Sequence, residues 1–228
     1  MRFLALATDY DGTLARDGEV GGATVEALRR LRASGRKAIL VTGRELPELL
    51  RIFPHVDLFD LVVAENGALL YFPKDRREQL LGEAPPARFL MALRERGVSP
   101  LSIGRVIIAS TDSEGVTILD VIHSQGLDLQ VVFNKGSVMI LPSGMNKATG
   151  LAVALEHLGL SPQQVVGVGD AENDHPLLRY CGCGVAVANA LPALKERADI
   201  VTRGSHEDGV IELIDSMLTD DLADVPPR

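Results

Sequence analysis

Five short stretches of uninterrupted apolar residues limit what this chain can fold into: Phe3 to Ala7, Ala38 to Val41, Leu61 to Ala64, Val165 to Val168 and Val185 to Val187. A strand with one wet face alternates apolar and polar residues. A strand covered on both faces does not, so runs of this kind read as members of a buried parallel sheet. The intervening segments supply the cover, because Thr24 to Ala33 and Leu151 to Leu158 repeat apolar residues at helical spacing. The expected class is α/β, a doubly wound parallel sheet of Rossmann type. Its crossovers are right-handed and its ligand site lies outside the carboxyl ends of the strands.

Polar residues gather at those ends. Asp9-Tyr10-Asp11-Gly12-Thr13 follows the first run directly, placing two carboxylates beside a glycine turn. A carboxylate next to a core is costly unless it is paired or bound to a cation. Alone, the motif fits an acidic capping turn as well as a cation site. The second run ends in Thr42-Gly43-Arg44, where a hydroxyl and flexible amides can hold phosphate, although a Thr-Gly turn is also common punctuation. Asn146-Lys147-Ala148-Thr149-Gly150-Leu151 opens a helix with Lys147 in its first turn, a position where the macrodipole disfavours a cation unless an anion compensates. Gly169-Asp170-Ala171-Glu172-Asn173-Asp174 closes the fourth run with a set of hard oxygen donors suited to Mg²⁺ and poor for zinc.

Composition removes several function classes. A formal net charge of −8, no basic run and few aromatic residues argue against nucleic-acid binding. No apolar stretch approaches the roughly twenty residues needed to cross a bilayer. The first apolar run is short and leads straight into Asp9, so no signal peptide is expected and the anticipated location is the cytoplasm. Two cysteines, Cys181 and Cys183, cannot make a four-ligand zinc site and read as buried reduced thiols.

Between Tyr71 and Lys147 the pattern changes. Pro85-Pro86 marks a boundary, followed by an expected helix over Ala87 to Arg96, a strand over Arg105 to Ser110 and a helix near Gly115 to Gln125. Leu129 to Phe133 and Val138 to Leu141 flank Asn134-Lys135-Gly136-Ser137, a hairpin signal. The spacing suggests a core of residues 1–82 and 147–218 carrying a small α+β insert at 83–146. The acidic tail at 219–228 is expected to be disordered after a last helix over Val210 to Leu218. Lys135, Ser143 and Asn146 could face the site, but solvated turn or capping residues are the favoured reading.

Taken in order, Asp9-x-Asp11-Gly12-Thr13, Thr42-Gly43-Arg44, Lys147 and Gly169-Asp170-x-x-Asn173-Asp174 resemble the four motifs of the haloacid dehalogenase-like superfamily. The long gap between the second and third motifs, and Glu65-Asn66-Gly67-Ala68 after the third run, are similar to its Cof-type (class IIB) branch. One departure is His175-Pro176-Leu177-Leu178, where that branch commonly has an apolar pair ending in methionine.

The resemblance implies a Mg²⁺-dependent phosphatase acting on a small phosphorylated metabolite, with the insert serving as a cap. It makes Asp9 the nucleophile and Asp11 the general acid and base. Mg²⁺ is held by Asp9, the Asp11 carbonyl and Asp170, supported by Asp174 and Asn173. Thr42, Lys147 and the amides near Gly12 and Gly43 hold the phosphoryl oxygens, with Arg44 and Asn66 in support. A phosphosugar mutase and a non-catalytic phosphate-sensing module remain alternatives.

Overall fold

A computed structural model describes residues 1–226. The apolar runs form strands β1 (Ala5–Thr8), β2 (Lys37–Val41) and β3 (Leu61–Ala64), with helices α1 (Gly22–Ala33) and α2 (Leu46–Ile52) between them. Next come β4 (Leu69–Phe72), β5 (Arg77–Leu80), α3 (Ala87–Glu95), β6 (Ser102–Ile103), β7 (Ile108–Thr111), α4 (Gly115–Gln125), β8 (Leu129–Asn134) and β9 (Ser137–Pro142). The chain continues through α5 (Lys147–Leu158), β10 (Val165–Gly169), α6 (His175–Tyr180), β11 (Cys183–Ala186), α7 (Pro192–Lys195), β12 (Ile200–Val201) and α8 (Glu207–Thr219).

One sheet has eight strands in the order β12-β11-β10-β1-β2-β3-β4-β5. From β12 to β3 the neighbours are parallel, as the unbroken apolar runs require. The strand order reverses at β1, which lies between β10 and β2, and a crevice for ligands opens beside such a strand. Helices α1 and α8 pack on one another, as do α5 and α6. The sheet is not parallel throughout: β4 and β5 extend its edge antiparallel, joined by tight turns instead of crossover helices.

The second sheet, β6-β7-β9-β8, is antiparallel and lies entirely within the 83–146 segment. Its strand β9 shows period-two sidedness. Val138 and Ile140 pack with Phe89, Leu93, Ile118 and Ile122 of α3 and α4, whereas Met139 and Leu141 pack with Ala68, Val106 and Ile107. One face therefore makes a local core and the other lies against the larger sheet.

The strand expected at Arg105 begins later, at Ile108. The amides of Arg105, Val106 and Ile107 instead donate to the buried carboxylate of Glu65, at 2.8, 2.7 and 3.0 Å. Glu65 follows β3, so one side chain pins the small sheet to the large one. Cys181 and Cys183 are buried in the core without a disulfide.

The tail departs from expectation. Leu222 is buried, and Asp221 accepts from the backbone amides of Arg2 and Phe3 and pairs with the buried Arg36 at 2.9 Å. Arg36 also donates to the carbonyls of Phe3 and Met217. A buried guanidinium needs acceptors, and the tail supplies one. Pro227 and Arg228 lie outside the described residues. Burial of Asp221 disfavours its charged form, but Arg36 and the two amides outweigh this and hold its carboxyl below the ordinary carboxylate range. Its stabilisation is thus complete above the unfolded value and is lost as pH falls through the lowered folded one.

Asp221→Ala should destabilise the protein by about 1–2 kcal/mol and lower Tm by roughly 2–8 °C. The deficit should shrink as pH falls through the acidic range. A calorimetric Tm equal to wild type at neutral pH would show that the tail lies on the core without holding it.

Candidate active site

The first, second and fourth motifs sit beyond the ends of β1, β2 and β10. The Asp9 amide donates to the Val168 carbonyl at 2.9 Å, extending the β1–β10 ladder by one residue, and its side chain is buried. The chain then turns at Gly12, whose φ is +82°. A Cβ there would lie 2.4 Å from Asp170 Oδ2, so this turn admits glycine alone. Beyond β10, Asp174 Oδ2 accepts from the amides of Asp170 and Ala171, both at 3.0 Å, which folds the acidic loop back on itself.

Lys147 enters from the N-terminus of α5. Asn146 caps this helix, accepting from the amides of Ala148 and Thr149 at 2.9 and 3.1 Å, while Thr149 Oγ1 accepts from the Asn146 amide. Only 1% of Lys147 is exposed, and its Nζ donates to Asp9 Oδ1 at 2.5 Å and Asp174 Oδ1 at 2.6 Å. Burial opposes its charge, but Asp174 and Asp9 together raise the Lys147 pKa and keep the ammonium protonated. Burial and then Asp174 hold Asp9 above the ordinary carboxylate range despite Lys147. Burial likewise raises Asp170, opposed chiefly by Lys135.

Asp11 and Arg44 pair with each other. Asp11 Oδ2 and Oδ1 accept from Arg44 Nε and Nη2 at 2.6 and 2.7 Å, and Arg44 Nη1 reaches Glu48 at 2.6 Å. Arg44, expected to support phosphate, is thus already engaged. Thr42 is buried, and its Oγ1 accepts from the Arg44 amide at 3.1 Å, leaving the hydroxyl proton to donate elsewhere. Asn66, at φ +54°, donates its amide to the Thr42 carbonyl and accepts from Asn173 Nδ2 at 3.1 Å. Gly43 lies beside Met139 and Asn173.

Asp9, Asp170 and Asp174 each bring a carboxylate oxygen within 4.8 Å of the others, all buried. Buried Asn173 Oδ1 has no partner among the described residues. These oxygens, with the Asp11 carbonyl, suit a hard divalent cation such as Mg²⁺. Asp9, Asp11 and Asn173 border a cavity of about 170 Å³ that is also lined by Ala109, Asn134, Ser137 and Met139 of the small sheet. A larger groove of about 870 Å³ runs between α5 and α6 but lacks the convergent carboxylates.

Residues 6–88 and 106–214 match the sequence profile of the haloacid dehalogenase-like hydrolases. The chain belongs to that family.

This hydrolase is 30% identical to a phosphoglycolate phosphatase of Halorubrum lacusprofundi over 94% of its own length and 97% of the relative's. A haloacid dehalogenase-like hydrolase from Bacteroides thetaiotaomicron superimposes with TM-score 0.82 at 20% identity, covering 94% of this chain and 99% of that one. A subclass IIB sugar phosphatase gives TM-score 0.77 at 21% identity, with coverages of 93% and 98%. At those identities the two structures speak to fold. The hydrolase is a phosphatase, and no helix among its described residues is long and apolar enough to cross a membrane.

Several site residues escape the motif reading. Asn189, in the loop after β11, donates to the Gly12 carbonyl at 2.8 Å, and His206 Nδ1 lies 3.1 Å from the same oxygen. Looking past the end of the fifth apolar run finds Asn189; nothing in the local sequence marks His206. Thr13, which closes the first motif without an assigned role, donates its Oγ1 to Asp170 at 3.2 Å. Lys135, expected in solvent, bonds to Asp170 and to the Asp11 carbonyl.

Lys147→Met should leave the Asp9 and Asp174 carboxylates facing each other uncompensated, at a cost of about 3–5 kcal/mol in urea denaturation with EDTA present. Mg²⁺ should restore part of that loss. Wild-type stability in EDTA would mean that Lys147 is not what neutralises the pair.

Proposed function

We propose that this phosphatase hydrolyses the phosphomonoester of a two- or three-carbon acid, with 2-phosphoglycolate the leading candidate, using Mg²⁺ and an aspartyl-phosphate intermediate. The observation that carries the choice of substrate is the full-length match to a phosphoglycolate phosphatase, the Halorubrum relative being aligned over 94% of this chain. The cavity beside Asp9 and Asp11 gives a phosphomonoester a place to sit, under Asn134, Ser137 and Met139 of the small sheet.

The chemistry assigned to the residues is phosphoryl transfer by alignment and charge compensation. A carboxylate oxygen of Asp9 attacks phosphorus as the ester P–O bond breaks, and Asp11 gives its proton to the departing alcohol oxygen. Asp11 then takes a proton from water, which attacks the acyl phosphate, releasing inorganic phosphate and regenerating Asp9. Asp11 must turn away from Arg44 to do this, and its side chain is 43% exposed at that pair. Lys147 holds Asp9 in place and screens it from the incoming anion. The free proton of Thr42 is available to a phosphoryl oxygen. Asp9, Asp170, Asp174 and the Asp11 carbonyl would hold Mg²⁺, which when bound supplies further compensation for phosphoryl charge.

Asp9→Asn should lower kcat on both 2-phosphoglycolate and p-nitrophenyl phosphate by about a thousandfold or more, with Tm little changed. An acid-quenched wild-type reaction should yield a phosphorylated peptide containing Asp9. Retention of a tenth of kcat would sink the nucleophile assignment. A kcat/KM for hexose phosphates above that for 2-phosphoglycolate would sink the substrate.

A further inference from the structure

Lys147 serves two of the three buried carboxylates, Asp9 and Asp174, and makes no hydrogen bond to the third. Asp170 is 2% exposed, and the cation paired with it is Lys135, which comes from the other sheet. The same Nζ lies 3.3 Å from the Asp11 backbone oxygen. Asp170 and the Asp11 carbonyl are also two of the oxygens that suit a divalent ion.

The hairpin delivers this ammonium at a fixed point. Asn134 pairs with Ser137, leaving a two-residue turn of Lys135 and Gly136 with φ of +47° and +79°. Positive φ at both positions defines a type I′ turn, whose first position favours asparagine, aspartate or glycine over a long side chain. The conformation costs something at Lys135, and the ion pair with Asp170 is a compensating interaction. On the core side, a Cβ on Gly12 would lie 2.5 Å from Lys135 Nζ, so the glycine turn also makes room for the ammonium.

We propose that Lys135 is a built-in counter-ion that competes with the divalent cation. Its ammonium takes the place on Asp170 and the Asp11 carbonyl that the ion would use, and the two cannot occupy it together. Ion entry therefore breaks the tie between the β8–β9 turn and the core, and ion loss restores it. The proposal rests on the reading that this cluster binds Mg²⁺, and it concerns only the order of occupancy. No bond is made or broken beyond hydrogen bonds and ion contacts.

The test is a titration of the full-length protein, stripped with EDTA and dialysed, with Mn²⁺ followed by electron paramagnetic resonance. Wild type, Lys135→Met, Lys135→Arg and Lys74→Met are compared, Lys74 being an exposed lysine in the β4–β5 turn that controls for loss of one positive charge. Lys135→Met should bind Mn²⁺ about fivefold more tightly than Lys74→Met, the size expected of a partly exposed charge contact. Lys135→Arg, which keeps the charge, should bind more weakly than Lys135→Met.

Thermal denaturation supplies a second readout. In EDTA, Lys135→Met should melt below Lys74→Met, and saturating Mg²⁺ should close the gap. Equal Mn²⁺ affinities for Lys135→Met and Lys74→Met, with wild type binding normally, would overturn the competition and leave the metal reading intact. Absence of Mn²⁺ binding in all four proteins would overturn both.

Discussion

Lys147 is a cation inside the protein, bridging carboxylates at the ends of two different parallel strands. Charge without water is tolerated only with close partners, and here the partners are fixed by the sheet. β1 must neighbour β10 for Asp9 and Asp174 to meet, and α5 must start at that crevice for Lys147 to reach both. The Asn146 cap sets the starting residue of the helix. The helix dipole is unfavourable to a lysine in the first turn, and the two carboxylates offset it. Strand order, helix start and charge pairing are thus one constraint seen from three sides.

A second buried charge performs the corresponding task between the two sheets. Glu65 takes three consecutive amides from residues 105–107, and Met139, Leu141, Val106 and Ile107 form an apolar seam beside it. The amides fix direction, while the apolar seam excludes water and strengthens the bonds. Because Glu65 directly follows β3 and its amide bonds to the Arg44 carbonyl, the seam is referenced to the same strand ends that carry the site. The small sheet consequently places Asn134, Ser137 and Met139 over Asp9 and Asp11.

Much of this was legible in the residues. Runs without alternation gave strands covered on both faces, and the polar residue following each run marked a strand end, which is where α/β sheets gather ligands. Asp9, Asp170 and Asp174 converge as that rule requires, and Lys147 meets two of them from the start of α5. The harder features depend on long-range pairing. Glu65 looks like any acidic turn residue until three amides from forty positions away meet it. Asp221 reads as part of a polar tail, yet Arg36 needs an acceptor that only the folded chain supplies. Lys135 sits in a hairpin turn, where a lysine is ordinarily solvated, and only the placement of the small sheet brings it to Asp170. Local sequence records propensity; it does not record which distant group will lack a partner.

Charge placement also explains how a protein with a net charge of −8 can receive an anion. Arg44, the cation nearest the second motif, is held by Asp11 and Glu48, and Lys147 is held by Asp9 and Asp174. Neither projects uncompensated positive charge toward a phosphate. Under the proposed mechanism the attraction comes from charges whose partners change, Arg44 when Asp11 turns away and Lys135 when an ion takes its place on Asp170. Lys135 is 41% exposed and bound to a carboxylate that a divalent ion could also satisfy, so under the proposed competition ion binding at Asp170 would add two positive charges and release a third. The overall negative field repels anions in general, and the proposed Mg²⁺ would make the crevice locally attractive to one.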